Sequence, residues 1–368
     1  MLKINLVVTC LKVGGQEKIV AWLAGMLASK KYDITIILLG FEEETVLKVS
    51  SDVKLLYLNI DNKFGTIRWY QISKQIKKFK FFKSSLLHNN PDVIISFGDK
   101  TNIEVLIACF FNNEIKLIVS EQSDLRMHYI NFRLDILRRF LYIKAHFVVV
   151  ISEDLFNFCT LRYRSWNVRK ISNPIEIEKS FFLPAPMPRF YNKKNIISLS
   201  RLIESKRVDL IIKVFSEIYK DNPEWNLIII GDGPCLSKLE KLTQDLNLSE
   251  RVHFTGQIFP PYKLLSLGDL FVTTSAYESF GLSIAEALAL GLPSVAFDVL
   301  SGPREIITND FNGFLIPDND LDEFKKKLEL LIIDNDLRGK FRNNSSKIVD
   351  KFSEDTIFAK WESLITSI

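Results

Sequence analysis

Glu278 and Glu286 stand with seven residues between them in the run Tyr277-Glu278-Ser279-Phe280-Gly281-Leu282-Ser283-Ile284-Ala285-Glu286-Ala287. Eight positions is just over two helical turns. On a helix expected over 283–290, Glu286 comes round to the side of the helix start. Its neighbours are Ile284, Ala285, Ala287 and Leu288. A carboxylate in so apolar a helix requires a partner, and a ribose diol would serve; the alternative is a glutamate that snorkels to solvent. Glu278 falls in the loop before the helix. Gly281, at the helix start, has no Cβ and lets a ligand approach the backbone. Further upstream, Arg201 and Lys206 follow the apolar run Ile196–Leu199. Two cations at the carboxyl end of a strand can clamp a diphosphate, the arginine as a fork and the lysine as a point charge. A solvated charge pair is the other reading. Gly231-Asp232-Gly233-Pro234 closes the run Leu227–Ile230 and is expected to be a strand-to-helix turn, with Pro234 at the first helical position. Gly14 and Gly15 follow the first apolar run, where a helix N-terminus offers free N–H groups to an anion. The G-x-G-x-x-G pattern is absent there, which argues against a dinucleotide site.

These residues need strands that end side by side. Ile4–Thr9, Ile34–Leu39, Val93–Ser96, Leu117–Val119 and Phe147–Ile151 are short, β-branched and without polar alternation. Strands buried on both faces read this way. Helical-period stretches such as Glu17–Ser29 and Asn102–Phe111 lie between them. The pattern breaks over 173–194, where Asn173-Pro174, Pro184, Pro186 and Pro188 are followed by Asn192-Lys193-Lys194. It restarts with Ile196–Leu199, Leu227–Ile230, Val252–Thr255, Leu270–Thr273, Ser294–Phe297 and Phe314–Ile316. The expected fold class is α/β: two Rossmann-like, doubly wound domains in series, over 1–175 and 176–351, with a ligand cleft outside the carboxyl ends of their strands.

The composition narrows the partners. With 47% hydrophobic and 25% charged residues, the 368-residue chain is globular, not disordered. The net charge of +4 conceals an excess of basic residues before position 180 and of acidic residues after it. A basic front half calls for an anionic partner. Over Lys63–Asn90 there are seven Lys or Arg residues and no acid, interleaved with Trp69, Tyr70, Phe79, Phe81 and Phe82. Such a helix can lie on an anionic membrane surface, or it can simply carry a solvated basic face. Arg126, Arg133, Arg138, Arg139 and Lys144 extend the region. No nucleic-acid-binding module is recognisable. The four cysteines and four histidines are scattered, with no zinc spacing, so no metal and a reducing compartment are expected. The apolar stretch Ile4–Leu11 is short and lacks a cleavage site, so it reads as a buried strand rather than a leader. A cytoplasmic protein, at most peripheral to the inner face of the cell membrane, is expected.

Taken in order, these blocks resemble the retaining glycosyltransferases of family 4, which have the GT-B fold. The gap between Glu278 and Glu286 is that family's E-x7-E motif. Ser198-x-Ser200-Arg201-Leu202 with Lys206-Arg207, the strand end Ile228–Pro234, Val252-x-Phe254-x-Gly256 and Ala287–Val295 fall in their family places. The resemblance implies a catalytic set of Glu278, Arg201 and Lys206, with the two cations on the donor's diphosphate and Glu278 on the donor sugar. It implies Glu286 on the ribose, and backbone N–H groups of Phe280, Gly281 and Leu282 on sugar and phosphate. Gly15 and Gly231 complete the donor side. Many family members have a histidine near the reacting sugar. Here the stretch reads Val119-Ser120-Glu121-Gln122-Ser123-Asp124, so Glu121 and Gln122 are expected in that place; His128 lies nearby. The last stretch, 352–368 with Trp361, resembles the helix that crosses back to the first domain.

The resemblance implies transfer of a hexose or N-acetylhexosamine from a nucleotide sugar. The run Ala296–Ile307 resembles relatives that use UDP-linked donors to build surface polysaccharide or lipid-linked oligosaccharide. A polyprenyl-diphosphate-linked or other glycan acceptor is expected, with neither metal nor cofactor. The patterns Asp318–Asp320 and Asp334–Asp336 are better read as helix caps than as metal ligands. A non-catalytic nucleotide-sugar-binding partner of another transferase is the alternative; a phosphorylase or an epimerase would share the architecture.

Overall fold

The computed structural model describes residues 1–12, 14–42, 47–60, 72–127, 130–175 and 193–368. It divides into two compact units: residues 1–173 with 357–368, and residues 174–356.

Unit 1 is built on seven strands: β1 (Lys3–Val8), β2 (Asp33–Leu38), β3 (Lys54–Tyr57), β4 (Val93–Phe97), β5 (Lys116–Glu121), β6 (Phe147–Val150) and β7 (Val168–Lys170). They lie in the order β3-β2-β1-β4-β5-β6-β7, and every pairing is parallel. The helices are α1 (Gly15–Ser29), α2 (Ile72–Leu87), α3 (Asp99–Ala108), α4 (Phe132–Leu141) and α5 (Glu153–Arg162). Unit 2 has β8 (Lys194–Leu199), β9 (Trp225–Ile230), β10 (Val252–Phe254), β11 (Leu270–Thr273), β12 (Ser294–Asp298) and β13 (Gly313–Pro317), in the order β10-β9-β8-β11-β12-β13, again all parallel. Its helices are α6 (Val208–Ile218), α7 (Leu236–Asp245), α8 (Tyr262–Leu265), α9 (Leu282–Ala289), α10 (Gly302–Ile306), α11 (Leu321–Ile333), α12 (Asn335–Ser345) and α13 (Ile348–Phe352). α14 (Glu354–Thr366) follows, and from residue 357 onward belongs to unit 1. Its Trp361 is buried, with its ring 6.2 Å from that of Phe97.

The central strands form where the sequence is apolar without alternation, because helices cover both faces of a parallel sheet. β9 is buried at every position. The edge strands β3 and β7 were not expected. β3 is half-exposed and β7 has only three residues, so neither carries a two-sided apolar run. Several helix limits also differ, two of them at a glycine or proline. α3 starts three residues before the expected Asn102, because Gly98 at φ 87° turns the chain into it. α7 starts at Leu236, so Pro234 precedes the helix and does not occupy its first position. Asp320 and Asp334 cap α11 and α12, accepting from the N–H groups of Glu323 at 3.0 Å and Leu337 at 2.8 Å. Along α2, Phe82 enters the core while Phe81 faces water. Lys63, Arg68, Trp69, Tyr70, His128 and Pro184–Pro188 lie outside the described residues, as does the side chain of Lys74. No helix among the described residues is long and apolar enough to cross a membrane.

Candidate active site

A parallel sheet brings the carboxyl ends of its strands to one edge. In unit 2, the loops after β8, β9, β11 and β12 meet there. Backbone bonds tie them together. Leu202 N–H donates to the Asp232 carbonyl at 2.8 Å, joining the loop after β8 to the loop after β9. Ala276 N–H donates to the Ser205 carbonyl at 2.8 Å, joining it to the loop after β11. Gly302 N–H donates to the Glu278 carbonyl at 2.9 Å, adding the loop after β12.

The consequence is a contact across 72 residues of chain. Lys206 Nζ donates to Glu278 Oε1 at 2.6 Å, and Ser275 Oγ donates to the same oxygen at 2.8 Å. Both charged side chains are mostly sheltered, at 17% and 13% exposure. Arg207, next in sequence, is drawn off to Asp318 at 2.7 Å and Asn319 at 3.0 Å. Arg201 is exposed at the same edge and has no ion-pair partner among the described residues.

Glycine is required twice here. Gly231 has φ +146°, and a Cβ there would stand 1.9 Å from the Ser200 carbonyl oxygen. Only a residue without a side chain lets the two loops close to this distance. Gly281 takes the left-handed conformation, φ 87° and ψ 49°, and starts α9. Leu282 is the first residue of that helix, and the N–H groups of its first turn have no partner within the helix. They carry the positive end of its dipole. Phe280, just before, is buried and meets the Phe352 ring edge-on at 5.2 Å. Its side chain anchors the loop, so only its backbone is available to a ligand.

Glu286 lies on α9 at 5% exposure, among Ile284, Ala285, Ala287 and Leu288, all buried. It does not snorkel. Tyr262 Oη donates to Glu286 Oε1 at 3.4 Å. Neither Tyr262 nor Ser275 was expected at the site. Tyr262 sits on α8, 24 residues upstream, and no sequence spacing links it to Glu286.

The remaining expected residues belong to unit 1. Gly15 is the first residue of α1, after the carboxyl end of β1. Gln122 is half-buried, its Nε2 donating to Ser120 Oγ at 2.9 Å. Glu121, expected near the reacting sugar, is turned inward at 1% exposure. Tyr142 Oη donates to it, and Asn102 Nδ2 donates to Tyr142 Oη at 3.1 Å. Burial pushes the Glu121 carboxyl up to about 7, against the downward pull of the Arg138 guanidinium. Strand alternation explains the placement: the last residue of β5 can face either the core or the loops, and here it faces the core. No group of three or more His, Cys, Asp or Glu residues is placed to share a metal ion among the described residues.

Residues 184–348 match the family described as glycosyl transferases group 1. The poly(ribitol-phosphate) alpha-N-acetylglucosaminyltransferase of Staphylococcus aureus is 30% identical over 230 residues, 61% of this chain and 44% of that one. The chain thus spans less than half the length of some of the curated relatives it matches. The GalNAc-alpha-(1->4)-GalNAc-alpha-(1->3)-diNAcBac-PP-undecaprenol alpha-1,4-N-acetyl-D-galactosaminyltransferase of Campylobacter jejuni is 26% identical over 372 residues, covering 100% of this chain and 99% of that one. HepE of Anabaena, solved in complex with UDP and glucose, aligns over 100% of both chains with a TM-score of 0.81 and 19% identity. The chain therefore has the fold of the GT-B glycosyltransferases, and residues 184–348 carry its match to glycosyl transferases group 1.

Proposed function

We propose that the protein is a retaining glycosyltransferase of the family 4 type. It would move a hexose or N-acetylhexosamine from a UDP-sugar to a polyprenyl-diphosphate-linked or other glycan acceptor at the inner face of the cell membrane, without a metal. The observation that carries this reading is the Lys206–Glu278 pair, a cation and a carboxylate held together at the carboxyl edge of unit 2 beside the first turn of α9. The relatives' names support the acceptor class. HepE was solved with UDP, which supports the nucleotide.

In this reading the bond between the anomeric carbon and the β-phosphate oxygen breaks, and the diphosphate leaves with the electron pair. Lys206, Arg201 and the α9 N-terminus neutralise it, as fixed donors aimed where charge develops. Glu286 accepts hydrogen bonds from the ribose hydroxyls, and Glu278 from the donor sugar. The acceptor hydroxyl attacks the same face of the anomeric carbon, and its proton passes to the departing phosphate oxygen. No protein nucleophile is needed. The buried Glu121 is not assigned a part in the reaction.

The test is a thermal-shift panel of UDP, GDP, ADP and their sugar conjugates with EDTA present, followed by NMR of the product's anomeric centre. Ligand at about 100 times its Kd stabilises the native state by about 2.7 kcal/mol. A shift selective for UDP that survives EDTA, and an α-linked product from an α-linked donor, are expected. Inversion at the anomeric carbon, or a strict metal requirement, would overturn the corresponding part. Binding without transfer to any acceptor would mark a nucleotide-sugar-binding partner instead.

A further inference from the structure

α4 presents apolar residues on two faces. Leu134, Leu137 and Leu141 pack into the core of unit 1. Phe132, Ile136 and Phe140, each four residues from the next, form a second stripe that faces water; the two phenylalanines are 68% and 69% exposed. The stripe continues past the helix. Phe140 lines an open groove of about 640 Å³ together with Ile143, which is exposed, and Leu161, which is 75% exposed. Tyr163 and Trp166, stacked at 4.0 Å, line it as well. Isolated apolar residues on a surface are ordinary, but a contiguous row of five marks an interaction site.

The charge around the row is mostly positive. Arg139, Arg162 and Arg164 line the same groove. Arg133 stands beside Phe132 in sequence, and Lys144 beside Ile143. Asp135, the one acid of α4, is taken up by Arg138 and Arg139. Lys144 also lies over the Phe110 ring at 5.2 Å, and Phe110 meets Phe111, which is 87% exposed. An isologous contact between two copies would set these cations against one another. On α2, by contrast, the exposed Ile76 and Phe81 are five residues apart and fall on different faces.

We propose that this face of unit 1 docks on a bilayer containing anionic phospholipid. Phe132, Ile136, Phe140, Ile143 and Leu161 enter to the level of the upper acyl chains, and the surrounding arginines and Lys144 engage the lipid phosphates. The inference deepens the reading of a lipid-linked acceptor and rests on that reading for its purpose. Docking is measured without catalysis, so the two can fail separately.

The experiment is flotation of the full chain with vesicles of mixed phosphatidylglycerol and phosphatidylcholine, against phosphatidylcholine alone, at low and high salt. Binding is expected only to the mixed vesicles, weakening as salt rises. Phe132→Ser/Phe140→Ser should lower partitioning by about tenfold or more, while thermal midpoint and UDP binding stay unchanged. Phe132→Leu/Phe140→Leu should restore it. Arg162→Ser/Arg164→Ser should weaken binding and flatten the salt dependence, and Lys77→Ser/Lys80→Ser on α2 should do neither. No binding to mixed vesicles, or full binding by the Phe→Ser pair, overturns the proposal. So does a wild-type dimer that the Phe→Ser pair converts to monomer without vesicles, which would assign the face to a second copy of the chain.

Discussion

The Lys206–Glu278 pair can be pulled apart by a double-mutant cycle of Lys206→Met and Glu278→Gln. At 2.6 Å and an effective dielectric of about 20, the gross attraction is about 6 kcal/mol. Desolvation of both groups offsets most of this, leaving a coupling of about 1–3 kcal/mol. Each single variant strands a sheltered charge, though at 17% and 13% exposure water still reaches it. The stability loss should therefore fall below the ~3–5 kcal/mol of a fully buried pair. The double variant strands nothing and should lose less than the sum of the singles. Activity should behave differently. If Lys206 neutralises the departing diphosphate, Lys206→Met lowers kcat by about 10²–10³, the usual cost of losing one fixed donor to developing charge. Glu278→Gln should lower kcat more than it weakens UDP binding. In the double variant, stability recovers in part while kcat stays at or below that of the worse single. Urea unfolding gives the first quantity, and initial rates at saturating donor give the second. Recovery of kcat in the double variant to within about tenfold of the wild type would refute the reasoning. The pair would then merely hold the loop in place.

Three further outcomes are expected. Glu286→Ala should weaken UDP binding by about 10–100-fold in calorimetry, the worth of hydrogen bonds to a charged group; unchanged affinity would remove the ribose role. Gly231→Ala should cost at least about 1–3 kcal/mol in denaturant titration, because it places a Cβ 1.9 Å from the Ser200 carbonyl at φ +146°. A neutral result would mean that the two loops can separate freely. The Glu121 carboxyl, at about 7 in the folded chain against 4.5 when free, keeps its proton through that window while the unfolded chain loses it. Stability should therefore fall as pH rises from 4.5 to 7, at about 1.4 kcal/mol per unit from this group. Glu104, also raised to about 7 by burial, adds a similar slope. Glu121→Gln should remove roughly half of the combined dependence, as read from urea midpoints at several pH values; an unaltered slope would contradict the assignment.

The position of the loops explains how candidate residues far apart in sequence come together. Each of the four strand ends contributes little alone. The Leu202–Asp232, Ala276–Ser205 and Gly302–Glu278 bonds fix them against one another. Functional groups held by backbone bonds between loops of a rigid sheet need little reorganisation when charge develops, which is the condition for electrostatic catalysis.

The sequence by itself determined the central strands, because burial on two faces leaves an uninterrupted apolar run that needs no tertiary information to recognise. It also determined Gly281 as a helix start and Asp320 and Asp334 as caps, and it set the candidate residues at the ends of β8, β9 and β11, since these depend on neighbours a few residues away. Edge strands β3 and β7 escaped, because one exposed flank erases the two-sided pattern. Only the tertiary structure decided which partner each charge takes. Lys206 meets Glu278, 72 residues away, Glu286 meets Tyr262, and Glu121 turns from the loops to the core. It also decided which of the two apolar faces of α4 is buried. Leu134, Leu137 and Leu141 on one side and Phe132, Ile136 and Phe140 on the other repeat with the same helical period, so periodicity cannot rank them. The choice belongs to whatever the rest of the chain packs against the helix, and that is a property of the folded whole.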